Sequence, residues 1–133
     1  MSKNDAYLAL EESVLPVLLD NTKTAHRVSR RIFDRHGTVS FIFGKKRFWD
    51  IFDISSQTLK NPMTDQTRLI AEELVAFVEK YPDMLPVLIP CSKNAEIFIK
   101  EFEKTLESRY IIASPSVFLS GSPFEKLMTS LES

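Results

Sequence analysis

The sequence predicts an α/β protein built on a mostly parallel sheet, and three observations predict it. Short, continuous apolar runs such as VLPVLL and LPVLIP read as strands buried on both faces. Longer segments with apolar residues every three or four positions read as amphipathic helices. The two kinds alternate along the chain, the order that lays helices on both faces of a parallel sheet.

Residues 14–19 form the first strand, with Pro16 close enough to its start to be tolerated. Residues 24–36 follow as a helix with Ala25, Val28, Ser29, Ile32 and Phe33 on its inner face. Lys23, Arg27, Arg30, Arg31, Asp34 and Arg35 fall on the other face, and Gly37 ends the helix as its C′ residue. Residues 39–43 make the second strand.

The next stretch, GKKRFWDIFDISSQTLKNPMT, crowds five large apolar residues into a short span and leaves room for one helical turn and a short edge strand near 57–59. Its aromatics either cover a sheet edge or offer an apolar patch to a partner or a second copy of the chain. Phe48, Trp49 and Phe52 are the interface residues on the second reading.

A helix over 64–80 follows, capped by Thr64 or Asp65, with Leu69, Leu74, Phe77 and Val78 inward. Residues 85–90 are the third strand, and 95–106 a helix using Ala95, Phe98, Ile99, Phe102 and Leu106. A fourth strand at 110–113 precedes a last helix at 123–131, with Pro123 in its first turn. Right-handed crossovers then favour strand order 2-1-3-4 in a Rossmann-like three-layer sandwich. The chain reads as a single domain over 1–133, with its core at about 14–115.

A formal net charge of -1 argues against a general nucleic-acid binder, which should be basic. The single cysteine, Cys91, forms no internal disulfide and points to a reducing, cytoplasmic setting. No apolar run is long enough to span a bilayer, and the first residues lack a signal-peptide pattern.

An internal repeat links the two strand ends. LPVLLDNTKTAH, from Leu15, aligns without a gap with LPVLIPCSKNAE, from Leu85, so that Lys23 matches Lys93 and Ala25 matches Ala95. In the predicted order these strands are neighbours whose chains leave in opposite directions, the switch point where open α/β sheets bind ligands. Thr22, Lys23 and Thr24 would then face Ser92, Lys93 and Asn94 across one crevice. Hydroxyls, an amide, lysines and helix N-termini suit a small carboxylate or phosphate. The same residue types are also ordinary N-caps, which need no ligand, and LPVL also suits two buried strands under one packing demand. Both readings stand at this point.

Other residues carry weaker signals. His26 and His36 lack cysteine or carboxylate neighbours at ligand spacing, so a capping or exposed imidazole is the reading and no metal site is called. Cys91 precedes a helix N-terminus but has no base placed near it, and reads as a small buried residue. Lys45, Lys46 and Arg47 add to the basic face of the first helix, while Glu72, Glu73, Glu101 and Glu103 lie later. A solvated surface or charge-guided homodimerisation accounts for that split. Walker A, GxGxxG, GxSxG and HExxH are absent.

PVLLDNTKTAHRVSRRIFDRHGTVSFIFGKKR resembles the opening of ATP-grasp carboxylate–amine ligases of the D-aspartate ligase and carbamoyl-phosphate-synthase-like kind. LPVLIPCSKNAEIFIKEFEKTLESRYIIASP resembles the next block of the same family, and together the two cover roughly residues 14–115. The resemblance implies the N-terminal, Rossmann-like pre-ATP-grasp domain, which packs against the ATP-grasp domains and helps form the substrate side of the active site. It implies no catalytic residue in this chain, since the matched region ends before Ser133, where the ATP-binding part would begin. ATP and Mg would enter only through an ATP-grasp domain or subunit supplied elsewhere. The chain departs from the family at both turns. Asp20-Asn21 stands where glycine is common, and Ser92-Lys93-Asn94-Ala95 where Gly-Asp-x-Tyr-like residues are frequent. The alternatives are a stand-alone module for a small anion or nucleotide, an interaction subunit with no ligand, or a small enzyme using Cys91.

Overall fold

The computed structural model describes residues 14–45, 50, 53–60 and 67–119. Its elements in chain order are β1 (Val14–Leu19), α1 (Lys23–His36), β2 (Ser40–Gly44), β3 (Ser56–Lys60) and α2 (Thr67–Glu79). They continue as β4 (Leu85–Pro90), α3 (Lys93–Glu101), α4 (Glu103–Glu107), β5 (Ile111–Ile112) and α5 (Pro115–Leu119). The five strands form one all-parallel sheet in the order β3-β2-β1-β4-β5. The four main strands keep the order read from the sequence, and the short strand near 57–59 becomes an edge strand beside β2.

Two apolar layers sandwich the sheet. On one face Val14, Leu18, Val87 and Ile89 pack with Ala25, Val28 and Ile32 of α1 and with Phe118 of α5. On the other, Leu15, Val17, Leu19 and Leu88 pack with Leu74 and Phe77 of α2, Phe98 and Ile99 of α3 and Leu106 of α4. The central strands β1 and β4 are apolar throughout because both faces are covered.

The sequence repeat and the pairing register differ by one residue, for a physical reason. Leu15 pairs with Pro86, one position beyond its repeat match Leu85. Neighbouring partners in a parallel ladder point to the same face, so the shift sends matched side chains to opposite faces. Leu18 therefore packs with α1, and its match Leu88 with α3. Each strand keeps the same relation to its own helix while the two helices lie on opposite sides.

Both internal prolines sit where one neighbour is missing. β2 pairs with β1 only from Val17, and β5 with β4 only at Val87 and Leu88. Pro16 and Pro86 thus precede the outer ladder on one side, where a lost N–H costs no strand bond.

Several boundaries differ from the sequence reading. Leu69 is 49% exposed, and the inward stripe of α2 is Ile70, Ala71, Leu74, Phe77 and Val78. The helix expected over 95–106 breaks at Phe102 (φ -109, ψ 26) into α3 and α4. A short helix, α5, lies at Pro115–Leu119, whereas the helix read at 123–131 and the caps Thr64 and Asp65 lie outside the described residues. No helix among the described residues is long and apolar enough to cross a membrane.

Candidate functional site

The two repeated turns meet at the carboxyl ends of β1 and β4. Each opens a helix with the same device: the Thr22 hydroxyl accepts from the Ala25 N–H (3.2 Å), and the Ser92 hydroxyl from the Ala95 N–H (3.0 Å). Both cap residues have extended backbones, as N-caps do. The turns are also stitched together. Thr22 Oγ1 donates to the Cys91 carbonyl (2.8 Å), and the Cys91 N–H donates to the Leu19 carbonyl (3.0 Å).

Capping commits the Thr22 and Ser92 oxygens, and Thr22 also spends its proton within the fold. What stays open to a ligand is Lys23, Lys93 and Asn94, all exposed, with Thr24 half-buried beside them. The first-turn N–H groups of Lys23 and Thr24, and of Lys93 and Asn94, precede the first i→i−4 bonds and so lack intrahelical acceptors. Neither lysine takes part in an ion pair among the described residues. Phe48, Trp49 and Phe52 lie outside the described residues.

The glycine absent from the first turn is supplied by the neighbouring strand. Asp20 itself takes the left-handed conformation (φ 83), and its N–H donates to the Phe43 carbonyl (2.7 Å). Gly44, at the end of β2, then abuts Asn21 so closely that a side chain there would strike the backbone.

His26 departs from its sequence reading. It is neither a cap nor an isolated imidazole, for the chain brings two carboxylates to it. Nδ1 lies 2.5 Å from Asp53 Oδ2, while Nε2 lies 2.8 Å from Asn21 Oδ1 and 3.1 Å from Asp50 Oδ1. Asn21 Nδ2 donates to the Lys45 carbonyl and to both Asp50 oxygens, which turns its own oxygen toward the ring. Side-chain oxygens thus face both ring nitrogens.

Asp53 anchors the other end of this network. Burial opposes its charge, yet hydrogen bonds from Ser55, His26 and Ser56 outweigh that cost and hold the carboxyl below its ordinary range. The buried Ser29 hydroxyl meets Ser55 Oγ at 3.0 Å, extending the tie along α1. These atoms are engaged with one another, so the arrangement fastens Asp50, Asp53 and Ser55 to α1 rather than presenting a nucleophile. No group of three or more His, Cys, Asp and Glu suited to a metal ion occurs among the described residues.

Cys91 is buried, with Sγ directed at the Ile89 carbonyl (3.5 Å). Burial, together with the Asp20 carboxylate, pushes its thiol up to about 12. A thiol so poorly ionised is not an activated nucleophile.

Comparison with protein-family models, with curated proteins and with solved structures gave no match.

Proposed function

We propose that this chain is a pre-ATP-grasp-like binding domain without catalysis of its own. It contributes the substrate-side wall, or a docking surface, to an ATP-grasp carboxylate–amine ligase. The observation that carries this reading is the adjacency of the two matched turns. Lys23 and Lys93 each follow the N-cap residue of a helix, the two helices leaving neighbouring strands to opposite faces at the switch point of the sheet. That geometry supports a small carboxylate held by two ammonium groups and by first-turn N–H dipoles. The reacting groups, ATP and Mg belong in this reading to a partner domain or subunit.

Thermal unfolding in the presence of amino acids, dicarboxylates and phosphate tests the proposal, because a ligand specific to the native state raises its stability. At about a hundred times its dissociation constant such a ligand adds about 2.7 kcal/mol. A carboxylate should raise the melting temperature of the wild type and not that of Lys23→Ala/Lys93→Ala. Equal responses in both proteins, or none in either, contradict it.

A further inference from the structure

We infer that the groove between α1 and α5 is a second anion site, built for the phosphoryl group of a small organic phosphate. The groove holds about 430 Å³ and is lined by His26, Arg27, Arg30, Arg31, Asp34 and Leu119. It is an open groove, which suits a phosphoryl group held at the surface rather than an enclosed ligand.

The charge on α1 is strongly one-sided. Lys23, Arg27, Arg30, Arg31 and Arg35 stand on this helix against the single acid Asp34, in a chain whose formal net charge is only -1. Positions 27, 30 and 31 are related by three and four residues, so their side chains share one face. Neither Arg27 nor Arg30 makes an ion pair or hydrogen bond among the described residues, and both are exposed. Among the lining residues only Asp34 offsets the three arginines, so the cations outnumber the acid, and an anion between Arg27 and Arg30 relieves the remaining repulsion.

Arginine rather than lysine lines the groove, and the planar guanidinium fork matches phosphate oxygens in pairs. His26 does not compete for the ligand, because its ring nitrogens already face Asp53, Asn21 and Asp50. Leu119, half-buried on α5, gives the wall an apolar portion against which an organic carrier can rest. This site stands apart from the switch-point turns, since neither Lys93 nor Asn94 lines it.

The test is calorimetric titration of the full chain with phenyl phosphate at moderate ionic strength. Arg27→Ala/Arg30→Ala removes two exposed side chains and is checked for a native circular dichroism spectrum. Saturable binding should weaken about tenfold or more in this variant, the loss associated with removing charge-assisted hydrogen bonds. It should also weaken in Arg27→Lys/Arg30→Lys, which keeps the charge and loses the forks, and stay unchanged in Lys104→Ala, which removes an exposed cation on α4 across the sheet. Absence of saturable binding overturns the inference, as does full affinity in the double-lysine variant or an equal loss in Lys104→Ala. A loss confined to Lys93→Ala would place the anion at the switch point instead and overturn it too.

Discussion

A β-carbon built on Gly44 would lie 2.5 Å from the backbone nitrogen of Asn21. β2 therefore approaches the first turn more closely than any residue with a side chain allows, and Asp20 bonds across the same junction to Phe43. Gly44→Ala should destabilise the protein by about 1–3 kcal/mol, the usual range for overpacking. Asp20→Gly should stay within about 1 kcal/mol of wild type, because relief of the positive φ offsets the added freedom of the unfolded chain. Urea denaturation of the two variants measures both.

The Asp53 network makes a prediction about acid. Its carboxyl is held below the ordinary carboxylate range in the folded protein. The stabilisation is therefore complete above the unfolded-state pKa and is lost as pH falls through the lower, folded one. Stability of the wild type should drop more steeply below about pH 4 than that of Asp53→Asn. At neutral pH Asp53→Asn should itself cost about 1–3 kcal/mol, since it disrupts partly buried charge-assisted hydrogen bonds. Parallel slopes for the two proteins under acid would count against the network.

Cys91 should resist alkylation in the native protein. A buried thiol pushed up to about 12 carries almost no thiolate at pH 8. Iodoacetamide should label it only on unfolding, and Cys91→Ala should leave ligand binding intact. Rapid labelling of the folded chain would revive a catalytic cysteine.

Tyr110 links the end of α4 to α2 through its hydroxyl, which donates to the Leu74 carbonyl at 2.7 Å. Burial raises the pKa of this phenol, so the group stays protonated and donating through the physiological range. Tyr110→Phe should lower stability by about 0.5–1.5 kcal/mol in denaturant melts while leaving the sheet intact.

The sheet was legible because its central strands are continuous apolar runs, and the order of the four main strands follows from crossover rules. Helix limits were less legible. The apolar pattern of 95–106 continues through Phe102, and nothing in the residue types announces the change of backbone angle there. Leu69 and Ile70 are adjacent and equally apolar, and the sequence reading put Leu69 inward where the structure buries Ile70. The adjacency of Thr22 and Ser92 was readable from the repeat. The setting of His26 was not, because Asp50 and Asp53 reach it from 24 and 27 residues away along the chain. Only their placement on the connection into the edge strand β3 brings them to α1, and no local spacing encodes that.

Amide chemical-shift mapping of the labelled full chain during titration with aspartate tests the central claim most directly. The account predicts the largest, saturable changes at Lys23, Thr24, Lys93 and Asn94, whose first-turn N–H groups face the switch point. Changes centred elsewhere, or none at all, would contradict it.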